Sequence, residues 1–455
     1  MYHSDTPSTG SFSCSHAKLN QLQHNIVWGQ RGNFVEVPTD CPQRDERLGW
    51  MGDAQVFSRT AAFNMDVAAF FNRWLLDVSD AQLPDGAYTD VVPDVLTNRK
   101  LDSWGSGAPA WGDAGIICPW MVYLAYGDRR ILERQYDSIC CYIAYLDRRC
   151  INGVHPDFGY GDWLAINSET NKQLIGTAYS AYSISLMQKI AGLLGKQEDQ
   201  QRFARLFEKI KTAFNREFVT PAGRLVNPSQ TAAVMALYFQ LVDEPVRSCV
   251  ANWLTADITS RGVLTTGFVG CHLILPVLSQ LGRDDLAWQM LTNEKFPSWL
   301  FSVNQGATTI WERWDGWTPE KGFQDAGMNS FNHYAYGSCG QWMYARIGGI
   351  ELDETEPGYR HIIVDPVLAR GLTWGQASLE TLYGQVNVAW KLAGENFSIK
   401  LTIPPNTHAT LRLPGKYTAG DAEASMLRGE NAGRTTVELP AGTYKLTSVL
   451  LVSTK

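Results

Sequence analysis

The chain lacks the motifs that mark metal-dependent, nucleotide-dependent and membrane proteins. It contains no C-x-x-C pair and no H-E-x-x-H motif, so the sequence gives no indication of a zinc or redox site. It also contains no G-x-S-x-G elbow, Walker loop or G-x-G-x-x-G turn, which disfavours an α/β-hydrolase and a nucleotide-binding protein. No apolar run reaches the length of a membrane span. We therefore expect no metal, no cofactor and no membrane partner.

Basic charge is scarce as well. The chain has 39 Lys and Arg against 46 Asp and Glu, a net charge of −7, whereas nucleic acids and anionic lipids are bound by basic surfaces. The nine cysteines are odd in number and irregularly spaced, and several lie in apolar stretches where free cysteine behaves as a small hydrophobe. The first 15 residues show no apolar signal region. These features favour a reducing compartment, and we expect a cytoplasmic protein without a nucleic-acid partner. The oligomeric state stays open, a homodimer included.

The pattern of apolar residues divides the chain in two. At 455 residues and 45% apolar content it is globular, with one large domain or two ordinary ones. Residues 15–350 follow a helical period through about twelve predicted helices, the last of them over 332–346. Residues 351–455 alternate with period two between short turns, with strands predicted over 362–364, 385–390, 398–403, 409–413, 435–439 and 444–452. We expect a short N-terminal segment (1–14), a mainly α domain (15–350) and a C-terminal antiparallel β-sandwich (351–455). The helices would form either a closed toroid or an open solenoid.

A dense polar segment stands near the start, Asp40-Cys-Pro-Gln-Arg-Asp-Glu-Arg-Leu-Gly-Trp-Met-Gly-Asp53. Four carboxylates, two arginines and Trp50 in so short a stretch are unfavourable in a core but suit a pocket that binds a polar ring and moves protons. A second segment of acidic and aromatic residues, Trp311-Glu-Arg-Trp-Asp-Gly-Trp317, places Glu312 among three tryptophans. Aromatic faces stack on the C–H patches of sugars and acids bond sugar hydroxyls, so the two segments predict the two halves of a glycosidase site.

Cleavage of a glycosidic bond needs a proton for the leaving oxygen and a nucleophile at the anomeric carbon, which two carboxyl groups can supply. Glu46, with other acids and Trp50 nearby in sequence, is the better candidate for the acid, and Glu312 is the candidate base. A structural interpretation competes with this one. The first segment could be a salt-bridged loop with Asp40 and Asp53 as helix caps, and the second an aromatic core strip.

Further loops combine glycine, acids and aromatic residues. They are the stretch 82–94, which ends at Asp94, the stretch Trp104-Gly-Ser-Gly-Ala-Pro-Ala-Trp111, the turn Phe158-Gly-Tyr-Gly-Asp-Trp163, and Asn332-His333-Tyr334. Each could equally be an ordinary turn, since turns use Gly and Asp often. A lone histidine such as His333 is more often structural than a ligand, but its polar and aromatic neighbours favour a sugar contact.

Read together, these motifs resemble the signature of bacterial α-L-rhamnosidases of glycoside hydrolase family 78. The resemblance runs from the Asp40–Asp53 segment through Trp111-Gly-Asp and Thr308-Thr-Ile-Trp-Glu312 into Pro357-Gly-Tyr-Arg-His and Tyr383-Gly-Gln-Val. It implies an (α/α)6 barrel followed by a C-terminal β-sandwich, and hydrolysis of terminal α-L-rhamnose with inversion.

The resemblance also implies site residues. The general acid of the family matches Glu46 and its general base matches Glu312. Its rhamnose-binding acids match Asp40 and Asp53, and its aromatic platform matches Trp50. Further matches are Trp104 or Trp111, Trp163, His333 and Asp94, and we add Arg44 of the first motif as a candidate substrate-binding residue. The larger members carry β-domains ahead of the barrel; from the early first helix we expect none here, and hence small rhamnosides as substrates. Two alternatives stay open: an (α/α)6-barrel glycosidase for another sugar, and a sugar-binding protein without catalysis.

Overall fold

The computed structural model describes residues 3–97, 105–431 and 433–450. Helices fill the chain up to residue 348 and strands predominate beyond it. No helix in this described part is long and apolar enough to cross a membrane. The helices are α1 (Ala17–Asn33), α2 (Met51–Asn64), α3 (Ala68–Asp80), α4 (Ala114–Tyr126), α5 (Arg130–Arg149), α6 (Lys172–Leu193), α7 (Gln197–Phe218), α8 (Gln230–Tyr238), α9 (Val246–Arg261), α10 (Phe268–Gln280), α11 (Asp284–Leu291), α12 (Trp299–Asn304) and α13 (Gly340–Trp342).

Central and peripheral helices alternate along the chain. Helices α2, α4, α8 and α10 are buried on almost every side, whereas α5, α7 and α9 bury a single face. In α7 that face is a stripe that includes Phe203, Ile210 and Phe214. A helix that is apolar all round belongs in a core, and a helix with one apolar face covers that core. Helices α2, α4, α8 and α10 therefore lie in the interior, and α5, α7 and α9 lie on the outside of this domain.

Local signals set the ends of several helices. The side chains of Asn171, Ser229 and Ser298 each accept a hydrogen bond from a backbone N–H in the first turn of α6, α8 and α12. Such bonds satisfy amides that have no partner inside the helix. At the other end, Gly127 and Gly262 close α4 and α9 in the left-handed conformation.

The helix predicted over 332–346 is not a regular α-helix. It begins as a 3₁₀ helix (Tyr334–Cys339), continues as the single turn of α13 and ends as a π-helix (Met343–Gly348). A Cβ at Gly340 would lie 2.6 Å from the side chain of Thr60, and one at Gly337 would lie 3.1 Å from Phe57. The segment packs so closely on α2 that tertiary contact, rather than helix propensity, sets its geometry.

A nine-stranded sheet follows the helices, with the order β1-β8-β9-β10-β13-β11; β12 pairs with β13, and β7 pairs with β10 and β6. Two small hairpins, β2–β3 and β4–β5, lie within the helical part. The strands are β1 (Gly10–Cys14), β2 (Phe34–Val35), β3 (Val37–Pro38), β4 (Trp317–Thr318), β5 (Gly322–Phe323), β6 (Glu351–Leu352), β7 (His361–Val364), β8 (Trp374–Thr381), β9 (Gly384–Ala393), β10 (Asn396–Pro414), β11 (Lys416–Gly420), β12 (Leu427–Asn431) and β13 (Arg434–Val449).

Two features of the sheet differ from the predicted pattern. The pair β7–β10 is parallel, with His361 opposite His408, although the other ladders of the sheet are antiparallel. In addition, β1 from the predicted N-terminal segment pairs with β8, so that Gly10 faces Leu379. Both pairings join residues far apart in sequence, and no local pattern encodes them.

A cluster of ionic groups joins the helices to the sheet. Arg346 of the π-helix pairs with Asp284 of α11 at 2.7 Å and also contacts Asp365. Arg412 and Arg434 of the sheet approach the same Asp365 at 3.3 and 2.8 Å. Asp365 is buried, so three guanidinium groups surround one carboxylate at the domain boundary.

Candidate active site

The loop between β3 and α2 is closed at its base by two hydrogen bonds. The backbone N–H of Asp40 donates to the carbonyl of Leu48 at 2.9 Å, and the N–H of Leu48 donates to Asp40 Oδ1 at 2.8 Å. The residues between them therefore project as one rigid turn that carries Arg44 and Glu46. Trp50 immediately precedes α2, and Asp53 lies in the first turn of that helix, where the helix dipole favours a carboxylate.

A second pair of backbone bonds brings the distant segment to this loop. The N–H of Glu312 donates to the carbonyl of Ser330 at 2.9 Å, and the N–H of His333 donates to the carbonyl of Ile310 at 2.9 Å. The side chain of Gln43 then donates to Ser330 Oγ at 2.6 Å. Glu312 and His333 thus face the loop that carries Glu46.

The Arg44 guanidinium bridges the two glutamates. Its Nε donates to Glu46 Oε2 at 2.9 Å, its Nη1 donates to Glu312 Oε2 at 2.7 Å, and its Nη2 contacts both carboxylates. Trp50 Nε1 donates to the other oxygen of Glu46 at 2.7 Å. Burial alone would lower the pKa of Arg44, but Glu312 and Glu46 outweigh that effect and raise it. One cation therefore balances two carboxylates in this state.

Asp53 and His333 form a buried ion pair below the glutamates. His333 Nε2 lies 2.6 Å from Asp53 Oδ1, and both side chains are only 4% exposed. Burial lowers the pKa of His333, but the charge and hydrogen bond of Asp53, with the charge of Glu312, outweigh it and raise the pKa to about 9. Burial raises the pKa of Asp53 even though the charge and hydrogen bond of His333 oppose that effect. The imidazole is therefore a cation at neutral pH.

Asp40 is fully buried beside this pair. Burial raises its pKa from the ordinary 3.8 to about 7, and the charges of Glu46 and Asp53 act in the same direction. Its Oδ2 and the Nδ1 of His333 are buried without a hydrogen-bond partner among the described residues. Buried polar atoms are normally paired, so His333 Nδ1, which lies on the wall of the cavity, is left available for a ligand. Asp40 itself does not line the cavity.

These side chains surround a cavity of about 200 Å³. Its walls combine charged groups with aromatic rings. The lining residues are Arg44, Glu46, Trp50, Asp53, Trp111, Tyr160, Trp163, Phe268, Glu312, Met328 and His333. In the described part of the chain every lining residue lies between β1 and β6, so no strand of the nine-stranded sheet adds a group to this wall.

The aromatic wall depends on a glycine of the first motif. A Cβ at Gly52 would lie 2.5 Å from the Trp111 ring, so only glycine lets that ring pack against the first turn of α2. The Trp111 and Tyr160 ring centroids are 4.6 Å apart, and Tyr160 also meets Trp50 edge-on at 5.6 Å and Trp163 at 6.3 Å. The three tryptophans thus share contacts with one tyrosine.

Seven of the nine predicted substrate-binding residues lie in or beside the cavity, together with both predicted catalytic glutamates. Asp94 does not line it; its Oδ1 accepts from the N–H of Leu96 and of Thr97 at 3.1 Å, as in an ordinary turn. Trp104 falls outside the described residues. Asp162, which precedes Trp163, is structural, since it accepts from the N–H of Gly267 at 2.8 Å and caps the start of α10.

The sequence did not single out three lining residues as binding groups. Tyr160 stands in a quoted aromatic-acid turn, and that composition was the available signal. Phe268 and Met328 are apolar residues in stretches without a motif, so no local signal distinguished them from core residues.

Two side-chain clusters in the described part bring three possible metal ligands within 4.8 Å of one another. The first cluster consists of Asp40, Cys41 and Glu46. Its negative charge is already balanced by the guanidinium of Arg44, which lies 3.9 Å from Asp40. In the second, Glu356 stands beside His361 and His408, whose rings stack at 4.3 Å with 13° between their planes. The lone pairs of stacked rings run parallel and do not converge on one ion.

A helical domain whose cavity holds two glutamates, a buried Asp–His pair and a wall of tryptophans has the groups of a glycoside hydrolase. The family model for the bacterial alpha-L-rhamnosidase 6 hairpin glycosidase domain matches residues 7–347, and that for the bacterial alpha-L-rhamnosidase C-terminal domain matches residues 349–428. The chain therefore belongs to the bacterial α-L-rhamnosidase family.

Individual relatives agree with the family models. An alpha-L-rhamnosidase of Streptomyces avermitilis is 41% identical over 98% of this chain and 43% of its own length, and one of Formosa agariphila is 42% identical over 91% and 45%. The crystal structure of the Streptomyces avermitilis enzyme complexed with L-rhamnose superposes with a TM-score of 0.91 at 40% identity, covering 98% of this chain and 42% of that one. The chain thus spans less than half the length of these relatives.

Proposed function

We propose that this chain carries the active site of an exo-acting, inverting α-L-rhamnosidase. The observation that supports this most is the placement of Glu46 and Glu312 on one cavity, in contact with the same guanidinium. A rhamnose-complexed structural relative supports the choice of sugar.

In the proposed reaction Glu312 takes a proton from water as the water oxygen attacks the anomeric carbon. The glycosidic C–O bond breaks at the same time, and Glu46 gives its proton to the leaving oxygen. Because Arg44 Nη2 contacts both glutamates, their two nearest carboxylate oxygens stand less than about 6 Å apart, closer than the roughly 6.5–9.5 Å of inverting enzymes. We propose that Arg44 turns to the sugar hydroxyls when the substrate enters, so that the two carboxylates separate and admit the water.

The remaining groups would hold the sugar. His333 lines the cavity and its Nδ1 is buried without a partner in the described part of the chain, so a sugar hydroxyl would pair with it. The faces of Trp50, Trp111 and Trp163 suit the C–H surface and methyl group of a deoxysugar. The deep end is closed by buried Asp53, His333 and Phe268, so a cavity of about 200 Å³ fits one terminal ring.

We also propose the finer architecture as an (α/α)6 barrel (15–350) with a C-terminal β-sandwich (351–455). The alternation of enclosed and covering helices supports the barrel. In the sheet, β10 pairs with β9 before an irregularity between Ile403 and His408 and with β7 beyond it. A strand that changes partners at a bulge is how one strand serves both layers of a sandwich.

Variants of the proposed acid test the assignment. We expect Glu46→Gln to lower the turnover of methyl α-L-rhamnoside about 10³-fold and that of 4-nitrophenyl α-L-rhamnoside much less, because a good leaving group departs without a proton. The matched control is Asp45→Asn, one position away but fully exposed and paired only loosely with Arg47 at 3.8 Å. Equal activity of Glu46→Gln and wild type on both glycosides would remove Glu46 from the acid role.

The sugar specificity is tested with a panel of 4-nitrophenyl glycosides. We expect the α-L-rhamnoside to be cleaved with the highest kcat/KM. Faster cleavage of another sugar would identify a barrel glycosidase of different specificity, and binding of rhamnose without cleavage would identify a sugar-binding protein.

A further inference from the structure

A closed loop emerges directly from Glu312. It runs from 313 to 329 and is closed at its base by the bond between the Glu312 N–H and the Ser330 carbonyl. Polar contacts fix its shape: Asn329 Nδ2 donates to the carbonyl of Gly316 at 2.8 Å, and Trp314 Nε1 donates to the carbonyl of Thr266 at 2.9 Å. The loop is therefore held in place by its own hydrogen bonds beside the cavity.

The return limb of this loop brings Met328 to the cavity. Asp325 Oδ1 accepts from the N–H of Gly327 at 2.7 Å and turns the chain just before Met328. Among the described residues that line the cavity, Met328 alone is exposed, at 40%; the others are buried or half-buried. An exposed lining residue lies at the mouth, so Met328 borders both the cavity and solvent.

The side chains of the two glutamates also differ in how much of each is exposed to solvent. The Glu46 side chain is 28% exposed and that of Glu312 is 2% exposed, so Glu46 stands toward the mouth and Glu312 toward the interior. The acid of a glycosidase contacts the oxygen that leaves with the aglycone. The aglycone therefore lies at the mouth, on the side of the cavity where Met328 is exposed.

We propose that Met328 is the aglycone platform and gives the enzyme a preference for aromatic over small alkyl aglycones. This inference rests on the proposed function. A thioether is apolar and polarisable, makes favourable contacts with aromatic rings and adapts to aglycones of different shape. A methyl aglycone is too small to cover the side chain and gains little from it.

The test compares benzyl α-L-rhamnoside with methyl α-L-rhamnoside. Both leave as simple alcohols that need the acid, so they differ chiefly in aromatic surface. For Met328→Ala we expect kcat/KM for the benzyl glycoside to fall about five- to ten-fold, with less than about a two-fold change for the methyl glycoside. Met328→Leu, which restores apolar contact area, should recover most of the loss.

Phe323→Ala is the matched control. Phe323 belongs to the same loop and is 73% exposed, but it does not line the cavity, so its removal should leave the benzyl-to-methyl ratio unchanged. If Met328→Ala lost kcat/KM equally on both glycosides, or kept the wild-type benzyl-to-methyl ratio, the proposal that Met328 is the aglycone platform would be overturned. Failure of the wild type to cleave either glycoside would instead contradict the proposed function.

Discussion

Two clusters of charged groups in this molecule, each containing at least one buried carboxylate, have opposite balances of charge. In the cavity four carboxylates share one guanidinium and one imidazole: Asp40, Glu46, Asp53 and Glu312 with Arg44 and His333. At the domain boundary three guanidinium groups share two carboxylates: Arg346, Arg412 and Arg434 with Asp284 and Asp365.

The difference separates function from structure. In the cavity, burial and neighbouring acids raise the pKa of Asp40 to about 7, so that its charge is held at a cost in stability. At the boundary, burial lowers the pKa of Arg346, but Asp365 and Asp284 outweigh that effect and raise it. Burial and the neighbouring arginines lower the pKa of Arg434 in spite of Asp365, so the charge of Arg346 is stabilised and that of Arg434 is not. An excess of carboxylates lowers the free energy of unfolding, but it supplies groups that can donate or accept a proton. We therefore expect substitutions in the cavity cluster to lower activity and substitutions in the boundary cluster to lower stability.

The largest effect is expected for Glu312→Gln. Loss of the proposed base should lower kcat on 4-nitrophenyl α-L-rhamnoside about 10³-fold, while the midpoint of urea unfolding stays equal or rises because an acid has left an acid-rich cavity. Steady-state kinetics and urea unfolding on one preparation measure both. A large fall in the unfolding midpoint would show that Glu312 stabilises the fold, and it would contradict the proposed difference between the two clusters.

The converse is expected for Asp365→Asn. It leaves three guanidinium groups, of which Arg346 and Arg434 are half-buried and Arg412 is exposed, with one carboxylate fewer. The free energy of unfolding should therefore fall by about 2 kcal/mol while kcat of the folded protein is unchanged. Asp285→Asn is the control, because Asp285 lies next to Asp284 but is exposed and pairs with exposed Arg283. Equal losses in the two variants would show that the boundary cluster contributes little.

His333 should give stability a dependence on pH. Its folded pKa of about 9 lies above its ordinary 6.5, so its contribution is complete below pH 6.5 and is lost as pH rises through 9. We expect the free energy of unfolding to fall across that window by roughly 2 kcal/mol more in the wild type than in His333→Gln, because buried cysteines whose pKa is raised lower it in both proteins. Parallel slopes for the two proteins would show that His333 is not the titrating group.

A smaller effect is expected for Asp40→Asn. The folded pKa of Asp40 is raised from 3.8 to about 7, so the folded state favours the neutral form and loses stability as pH rises between those values. A neutral amide should therefore add about 1 kcal/mol at pH 8 and nothing at pH 3, while activity falls. A variant that is less stable than the wild type at pH 8 would show that the ionised carboxylate of Asp40 does not lower the stability of the folded state.

The charged residues of the site could be predicted from the sequence because they lie in two short motifs. Arg44, Glu46 and Asp53 come from one stretch of fourteen residues that runs from Asp40 to Asp53, and Glu312 lies in another stretch rich in tryptophan. That the two stretches meet followed from the family resemblance and from the helical period. Phe268 and Met328 could not be predicted, because an apolar residue that lines a cavity has the same composition as one that fills a core.

The strands illustrate the same limit in the fold. The predicted strands at 398–403 and 409–413 lie within one long strand, β10, because the stretch between them continues in extended backbone through a bulge. β8 was missed, although it alternates buried and exposed residues, and β1 was placed in a separate segment because its partner lies more than 350 residues away. Local pattern predicts that a strand exists, and long-range packing decides with which strand it pairs.

We propose that Glu46 and Glu312 act together across one cavity on α-L-rhamnosides, one giving a proton and the other activating water. Proton NMR of the sugar released in the first minutes of hydrolysis, before the anomers equilibrate, distinguishes this from direct attack by Glu312. We expect β-L-rhamnose to appear first and the α-anomer only later. Release of α-L-rhamnose first would contradict it, since Glu312 would then attack the sugar itself.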